Sequence, residues 1–317
     1  MKKRLFNFLL LFMPLWAKFF KTVAITGQGS DICLENGFLP MNVHYYSPIP
    51  DLFDLQKRQV WNKKSELPGI DFQIDRQIQL LLALGANYGN ECNWPSSPTK
   101  NPFDFYTENN TFSYGCAASL YSIIRYYKPK RIIEIGSGNS SLIFSSALSR
   151  NQEEGVYSQY IIIDPYPSPT IETGFSNLAK VIKERVELTA FDCFEELEAN
   201  DILFIDSGHT VRTGGDVNFL FLEVLPRLAP GVIVHVHDIS LPYEYPEVYF
   251  TNPSFRMFWT EAYLLQAFLA FNSEFEVMLA LGYLMKDKMS DFRKAFPRYD
   301  PDIHKAISGS FWIRRKK

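Results

Sequence analysis

The residues best equipped for chemistry in this 317-residue chain lie in three short runs. In the first, Arg131-Ile-Ile-Glu134-Ile-Gly136-Ser137-Gly138-Asn-Ser-Ser141, an apolar strand runs into a turn carrying two glycines. Glycine lets a backbone turn tightly and approach a ligand with no Cβ in the way. The following run, Ser140 to Leu148, reads as a helix whose free N–H groups would face whatever the turn holds. That arrangement suits a nucleotide-like ligand, and Glu134 adds an acid at the strand end. The second run, Ile161-Ile-Ile-Asp164-Pro, closes the next apolar strand with an acid placed to accept hydrogen bonds from a ribose diol. The third is split between Asp201-Ile-Leu-Phe-Ile-Asp206-Ser-Gly-His209 and Gly231-Val-Ile-Val-His235-Val-His237-Asp238. Carboxylates with an imidazole can hold a divalent cation, and a hydroxyl bound to one becomes more acidic. His209 has the side chain of a general base. His235, inside an apolar strand, reads as a hydrogen-bonded core residue.

These groups act together only if the chain brings them to one edge. Apolar strands are expected at Arg131–Ile135, Gln159–Ile163, Val186–Ala190, Ile202–Ile205 and Gly231–Val236. Helical stretches at Ser140–Arg150, Thr170–Lys183, Phe194–Ala199 and Gly215–Leu228 separate them, and a helix at Tyr114–Tyr127 leads in. Near-continuous Ile, Val and Leu runs imply strands buried on both faces, as in a parallel sheet. Right-handed crossovers then place all the strands' C-terminal ends on the ligand-binding edge. A long helix at Ser254–Phe271 and final strands at Phe275–Ala280 and Gly309–Arg314 complete a seven-stranded sheet.

Upstream, residues 22–112 are rich in aromatics and prolines and form an extension or cap, with helices expected near Asp51–Lys64 and Asp75–Leu84. Its aromatic runs His44–Asp51 and Asn101–Tyr106 either pack the extension onto the sheet or form a lid. Residues 1–21 are a basic start followed by a short apolar run with Lys18, Phe19, Phe20 and Lys21. The thirteen-residue run Leu5–Ala17, broken by Asn7 and Pro14, falls short of the roughly 20 apolar residues that a relaxed membrane span needs. A helix lying on a membrane surface, an incidental terminal helix and a signal peptide or span all fit the pattern. A net charge of −3 gives no electrostatic case for nucleic acid. The four cysteines form no C-x-x-C pair, which fits a reducing, cytoplasmic setting with or without membrane association.

A dinucleotide and S-adenosylmethionine both carry the diol that Asp164 could hold. The dinucleotide fingerprint would place Gly or Ala at 141, where this chain has Ser141. A pyrophosphate also gains nothing from Glu134, whereas the ammonium group of a methionine moiety would.

E-I-G-S-G, I-I-I-D-P, D-I-L-F-I-D-S-G-H and L-A-P-G-V-I-V-H-V-H-D, in this order and spacing, resemble class I S-adenosylmethionine-dependent methyltransferases, in the branch grouped as methyltransferase family 24. The resemblance covers residues 113–317. It implies an α/β fold, a Rossmann-like, mostly parallel seven-stranded sheet with its last strand antiparallel, and O-methylation of a small-molecule or glycan-like acceptor. Cofactor contacts would fall on Glu134, Gly136, Ser137, Gly138 and Asp164, and more loosely on Asp192 just after the third strand. His209 and Asp206 would be catalytic. In metal-dependent relatives the equivalents of Asp206, His237 and Asp238 bind Mg²⁺. His237 replaces the usual carboxylate, which leaves Mg²⁺, another ion such as Mn²⁺, or no ion open. An NAD-type dehydrogenase and a non-catalytic membrane-associated member of the fold are the alternatives, and an antiparallel last strand would count against the former.

Overall fold

The computed structural model describes residues 2–306 and 308–316. It divides into two compact units. Residues up to Val60 together with Phe250–Phe258 form one, and Trp61–Tyr249 with Trp259–Lys317 form the other. The expected boundary at residue 112 is therefore displaced. Residues 61–112 belong to the sheet-bearing unit because helix α1 (Ile74–Tyr88) packs on helix α2 (Tyr114–Tyr127), on strand β6 (Phe275–Ala280) and on a late helix, Met289–Ala295.

The larger unit is built on a seven-stranded sheet of order β3-β2-β1-β4-β5-β7-β6. β1 (Arg131–Ile135) and β4 (Ile202–Ile205) lie centrally, flanked by β2 (Gln159–Ile163), β3 (Leu178–Ile182) and β5 (Ile233–Val236), all parallel. β7 (Phe311–Arg315) runs antiparallel between β5 and β6. That inserted strand matches the expectation from the resemblance and departs from the all-parallel order of a doubly wound dinucleotide fold. All four residues of both β4 and β5 are buried, because helices cover both faces. Helix α3 (Asn139–Glu153) packs beside α2. A helical run at 216–227, with a wide turn at Leu220–Val224 before Pro226, meets the helix Glu261–Leu269.

Three expected elements come out differently. The stretch read as one helix, Thr170–Lys183, holds a short helix at Pro169–Thr173, a left-handed Gly174 and then β3. β3 is a half-exposed edge strand with Lys180 in its middle, so it lacks the continuous apolar run that marks the buried strands. Val186–Ala190, read as the third strand, contains only a single tight turn at Val186–Leu188. The long helix Ser254–Phe271 shrinks to Glu261–Leu269, because its first part belongs to the smaller unit and the residues before Glu261 hold the loop after β4 instead.

The turn from β1 into α3 is organised from below by Glu134, which has no exposed surface. Ser140 Oγ donates to Glu134 Oε1 at 2.6 Å, Ser141 Oγ donates to Oε2 at 2.8 Å, and the Tyr160 hydroxyl donates to the same oxygen. Ser141 Oγ also accepts from the Gly138 N–H at 3.1 Å, capping α3. Burial pushes the Glu134 carboxyl up to about 8, against the three hydroxyls that favour its charged form.

In the smaller unit, helices run over Lys2–Leu10, Met13–Thr26 and Ser30–Glu35. Val23 is buried and Phe20 meets Phe38 edge-on at 5.5 Å, yet Phe8, Leu11, Leu15, Trp16 and Phe19 are largely exposed. Among the described residues, no helix is long and apolar enough to cross a membrane.

Two consequences can be measured. A Cβ on Gly85 of α1 would lie 2.4 Å from the Ala295 backbone, so Gly85→Ala is expected to destabilise the fold by about 1–3 kcal/mol in urea unfolding. Folded Glu134 keeps its proton to about 8, while the unfolded carboxyl releases it near 4.5. Stability from this group is therefore full at low pH and is lost as pH rises through that window, by at most about 1.4 kcal/mol per unit. Glu134→Gln should remove this contribution, so an unchanged slope between pH 5 and 8 would count against it.

Candidate active site

The ends of β1, β2, β4 and β5 deliver the site residues to one edge. Gly136 has φ +81°, and its N–H donates to the Ile163 carbonyl at 3.0 Å. A Cβ there would lie 2.0 Å from the Asp206 carbonyl oxygen, so the glycine is what allows the β1 turn to lie against the end of β4. Gly138 differs: a Cβ on it would meet nothing within 4 Å and would project into open space. Ser137 Oγ donates to Asp164 Oδ2 at 2.5 Å, and Asp164 Oδ1 accepts from the Tyr166 N–H at 2.7 Å. Gly136, Ser137, Gly138 and Asp164 therefore form one partly exposed rim.

Glu134 lies beneath that rim. Both its oxygens are engaged by hydroxyls, and it shapes the turn without reaching the surface where an ammonium group would lie. Asp192 does not follow the third strand, because β3 ends at Ile182. It stands exposed at the start of the short helix Asp192–Glu195 and lines none of the cavities described below.

Beyond the turn, Asp206, His209 and Asp238 converge, with one possible ligand atom of each within 4.8 Å of the others. His209 Nε2 lies 3.3 Å from Asp206 Oδ1 and 3.7 Å from Asp238 Oδ2. Its other nitrogen, Nδ1, pairs with Glu261 Oε2 at 2.9 Å, and Glu261 is completely buried. The backbone fixes the imidazole as well. The His209 carbonyl accepts from the N–H groups of Thr260 and Glu261, Thr260 Oγ1 accepts from the Val211 N–H at 2.7 Å, and the ring lies 4.4 Å from Trp259. His209 and Asp238 both adopt left-handed backbone, φ +53° and +56°. Such conformations are costly and persist where surrounding structure imposes them. At Asp238 the imposing neighbour is Gly309, on which a Cβ would lie 2.6 Å from the Asp238 Cα.

Electrostatics bind the cluster into a unit. Burial alone would push His209 down, but Asp206 and Glu261 outweigh it and raise its pKa to about 10. With both nitrogens then protonated at neutral pH, His209 is an acid in this state, and the expected free base is not what the ligand-free geometry provides. Burial would raise the Asp206 carboxyl, yet the flanking imidazoles hold it far below the usual range. His237 is buried, stacked on Phe112 at 5.1 Å, with Nδ1 3.4 Å from Asp206 Oδ1 and 3.5 Å from Asp238 Oδ2. Neither ring nitrogen makes a hydrogen bond. His235 is the core residue it was expected to be: Nε2 pairs with Ser310 Oγ at 2.9 Å and the ring stacks on Phe204 at 3.9 Å.

A cavity of about 510 Å³ opens beside this cluster, walled by Thr111, Phe112, Cys116, His237, Asp238 and Gly309. A smaller chamber of about 170 Å³ shares Asp238, Tyr249 and Gly309 with it and is lined by Tyr243 and Tyr245. A third, of about 290 Å³, touches Gly138, Asn139 and Tyr106. In the 101–106 run Phe105 packs, as one of the two expectations had it, buried against Trp94 and Phe112, and Tyr106 lines that third cavity. Sequence reasoning missed Glu261, Trp259 and Gly309. A glutamate opening an aromatic helix carries no local signal that it will be buried under a histidine from another loop.

Comparisons with known proteins fit this geometry. Residues 133–239 match the family 24 model described as a methyltransferase domain. An uncharacterised protein of Archaeoglobus fulgidus is 31% identical over 182 residues, covering 55% of this chain and 81% of the relative. Among solved structures, a proposed methyltransferase from Thermobifida fusca YX is 16% identical over 79% of this chain and 98% of its own, with a TM-score of 0.39. A proposed protein-L-isoaspartate O-methyltransferase from Plasmodium falciparum, solved with S-adenosyl-L-homocysteine, is 12% identical over 59% of this chain and 81% of its own, with a TM-score of 0.26. Those two overlays are loose, and the assignment stands on the sequence matches. With the glycine turn, the acid closing β2 and the matched domain spanning β1 to β5, the chain belongs to the class I S-adenosylmethionine-dependent methyltransferases.

Proposed function

We propose that the methyl group goes to a hydroxyl oxygen of a small-molecule or glycan-like acceptor seated against Asp238. The observation that carries this reading is the position of Asp238, which belongs to the carboxylate–imidazole cluster and also walls both cavities beside it. The methionine part of the donor would lie over Gly136 and Gly138, and its ribose at Asp164, where the Ser137 hydroxyl would give way. As the new carbon–oxygen bond forms, the carbon–sulfur bond breaks and the sulfonium becomes a thioether. The hydroxyl proton passes to the carboxylate of Asp238, which walls both cavities, and from there to solvent, since His209 already carries both of its protons in this state. Much of the rate would come from holding oxygen, methyl carbon and sulfur in line. The aromatic lining of the smaller chamber, with Tyr243 and Tyr245, suits the apolar face of a sugar ring.

Calorimetry with S-adenosylmethionine tests the donor site. Asp164→Ala removes the expected ribose acceptor and should weaken binding at least tenfold; the turn glycines are unsuited to the test, because Gly136 touches Asp206 and Gly138 holds φ +157°, a backbone that L side chains rarely adopt. Asp238→Asn should lower turnover by about 10²–10³-fold while leaving donor affinity within twofold. If labelled methyl groups are recovered on nitrogen or carbon rather than oxygen, the hydroxyl reading fails.

We also propose that the N-terminal helices lie on the surface of an anionic bilayer on the cytoplasmic side. Residues 1–30 carry Lys2, Lys3, Arg4, Lys18 and Lys21 and no acid, and large apolar side chains of both helices stand exposed. Charge and apolar area of this kind favour in-plane binding to anionic lipid. Vesicles containing phosphatidylglycerol should co-sediment the full chain, and Lys18→Glu/Lys21→Glu should weaken this about tenfold or more. Equal binding to neutral vesicles, or none to either, would refute the electrostatic anchor.

A further inference from the structure

The four polar side chains at the ends of β4 and β5 are spaced unlike a hydrogen-bonded cluster. Charge-assisted N–H···O bonds close to about 2.7–2.9 Å. His209 Nδ1 with Glu261 follows that rule at 2.9 Å. The nitrogens that face the carboxylates do not. They stand at 3.3 and 3.7 Å for His209 Nε2, and at 3.4 and 3.5 Å for His237 Nδ1. Donor atoms sharing an ion at about 2.0–2.2 Å in near-tetrahedral geometry lie about 3.3–3.6 Å from one another. His237 makes the point independently. It is buried against the Cys116 thiol, its ring nitrogens close no hydrogen bond of ordinary geometry, and Nδ1 stands 3.4 Å from Asp206 and 3.5 Å from Asp238. Such a group is costly unless something completes it.

We infer that Asp206, His209 and Asp238, with His237 beside them, form a binding site for an imidazole-preferring first-row transition ion, of the Fe²⁺-to-Zn²⁺ series, in preference to Mg²⁺. The donor chemistry sets the choice. Mg²⁺ favours all-oxygen octahedra and keeps several waters, and Mn²⁺ also suits oxygen ligands, whereas imidazole suits Fe²⁺, Ni²⁺, Cu²⁺ and Zn²⁺. Here two imidazoles flank two carboxylates, and the backbone confines all four. Glu261 is the outer partner of this site. By accepting from Nδ1 it fixes the tautomer that leaves the Nε2 lone pair facing the carboxylates, as carboxylates behind metal-binding histidines do. A cation there would polarise a hydroxyl oxygen in the cavity that Asp238 lines. The inference deepens the role given to this cluster, but its test does not depend on methyl transfer.

The experiment is metal calorimetry on the full chain stripped with EDTA, without S-adenosylmethionine. One ion per chain is expected, with Co²⁺ and Zn²⁺ bound at least 100-fold more tightly than Mg²⁺. The Co²⁺ form should show visible absorption characteristic of nitrogen ligation. His209→Asn should erase that absorption and bring Co²⁺ affinity close to that of Mg²⁺. Should that variant fold poorly, Glu261→Gln provides the second reading, with Co²⁺ affinity lowered about 10–100-fold. Mg²⁺ binding as tightly as Co²⁺, no ion binding at all, or a Co²⁺ spectrum indifferent to His209 would each overturn the inference. Calorimetry with S-adenosylmethionine would be untouched by any of these results, so the two readings fail separately.

Discussion

The site depends on the closeness of two backbones. At the end of β1 the chain turns at Gly136, against the carbonyl of Asp206, with no room for even a methyl group between them. The Asp206 N–H donates to the Ile135 carbonyl at 2.9 Å, so the last rung of the β1–β4 ladder and this contact share a residue. The glycine turn and the carboxylate–imidazole cluster are thereby parts of one edge. In-line methyl transfer needs the two held in fixed register, and the central strands supply that register directly.

Around this edge the protein buries groups that would be unstable alone. Glu134 is kept by three hydroxyls below the turn, Glu261 by the imidazole it orients, and His235 by Ser310 and the Phe204 ring. Each is held from an element other than its own or from the adjoining turn, with Glu261 Oε1 and His235 Nδ1 left without a hydrogen bond. Removing one partner would strand the other away from water, which costs more than the bond itself contributes. The site is therefore built on polar contacts that reach across β1, β2, β5, Ser310 just before β7, and the helix at Glu261–Leu269.

The strands that position the site were legible because burial on both faces leaves unbroken apolar runs. Arg131–Ile135, Gln159–Ile163 and Ile202–Ile205 appear with their expected bounds. β3 was not legible, since an edge strand carrying Lys180 alternates weakly and resembles its helical neighbours. Asp206, His209, His237 and Asp238 could be read as neighbours, because strand-end acids and histidines share one edge in a parallel sheet. Asp192 was misplaced together with the third strand. The depth of Glu134 was hidden too. Whether a strand-end acid faces the ligand or the helix behind depends on the hydroxyls of Ser140, Ser141 and Tyr160, and no local pattern announces them.

The left-handed backbone at His209 and Asp238 has a consequence for how this site can change over time. Outside glycine, that conformation admits Asn, Asp and His far more readily than branched or bulky residues. These are also side chains that coordinate ions or hydrogen-bond a hydroxyl. Backbone and chemistry thus filter for the same short alphabet. Single substitutions that the loops tolerate will tend to exchange one polar ligand for another, altering what the site holds while leaving its scaffold standing.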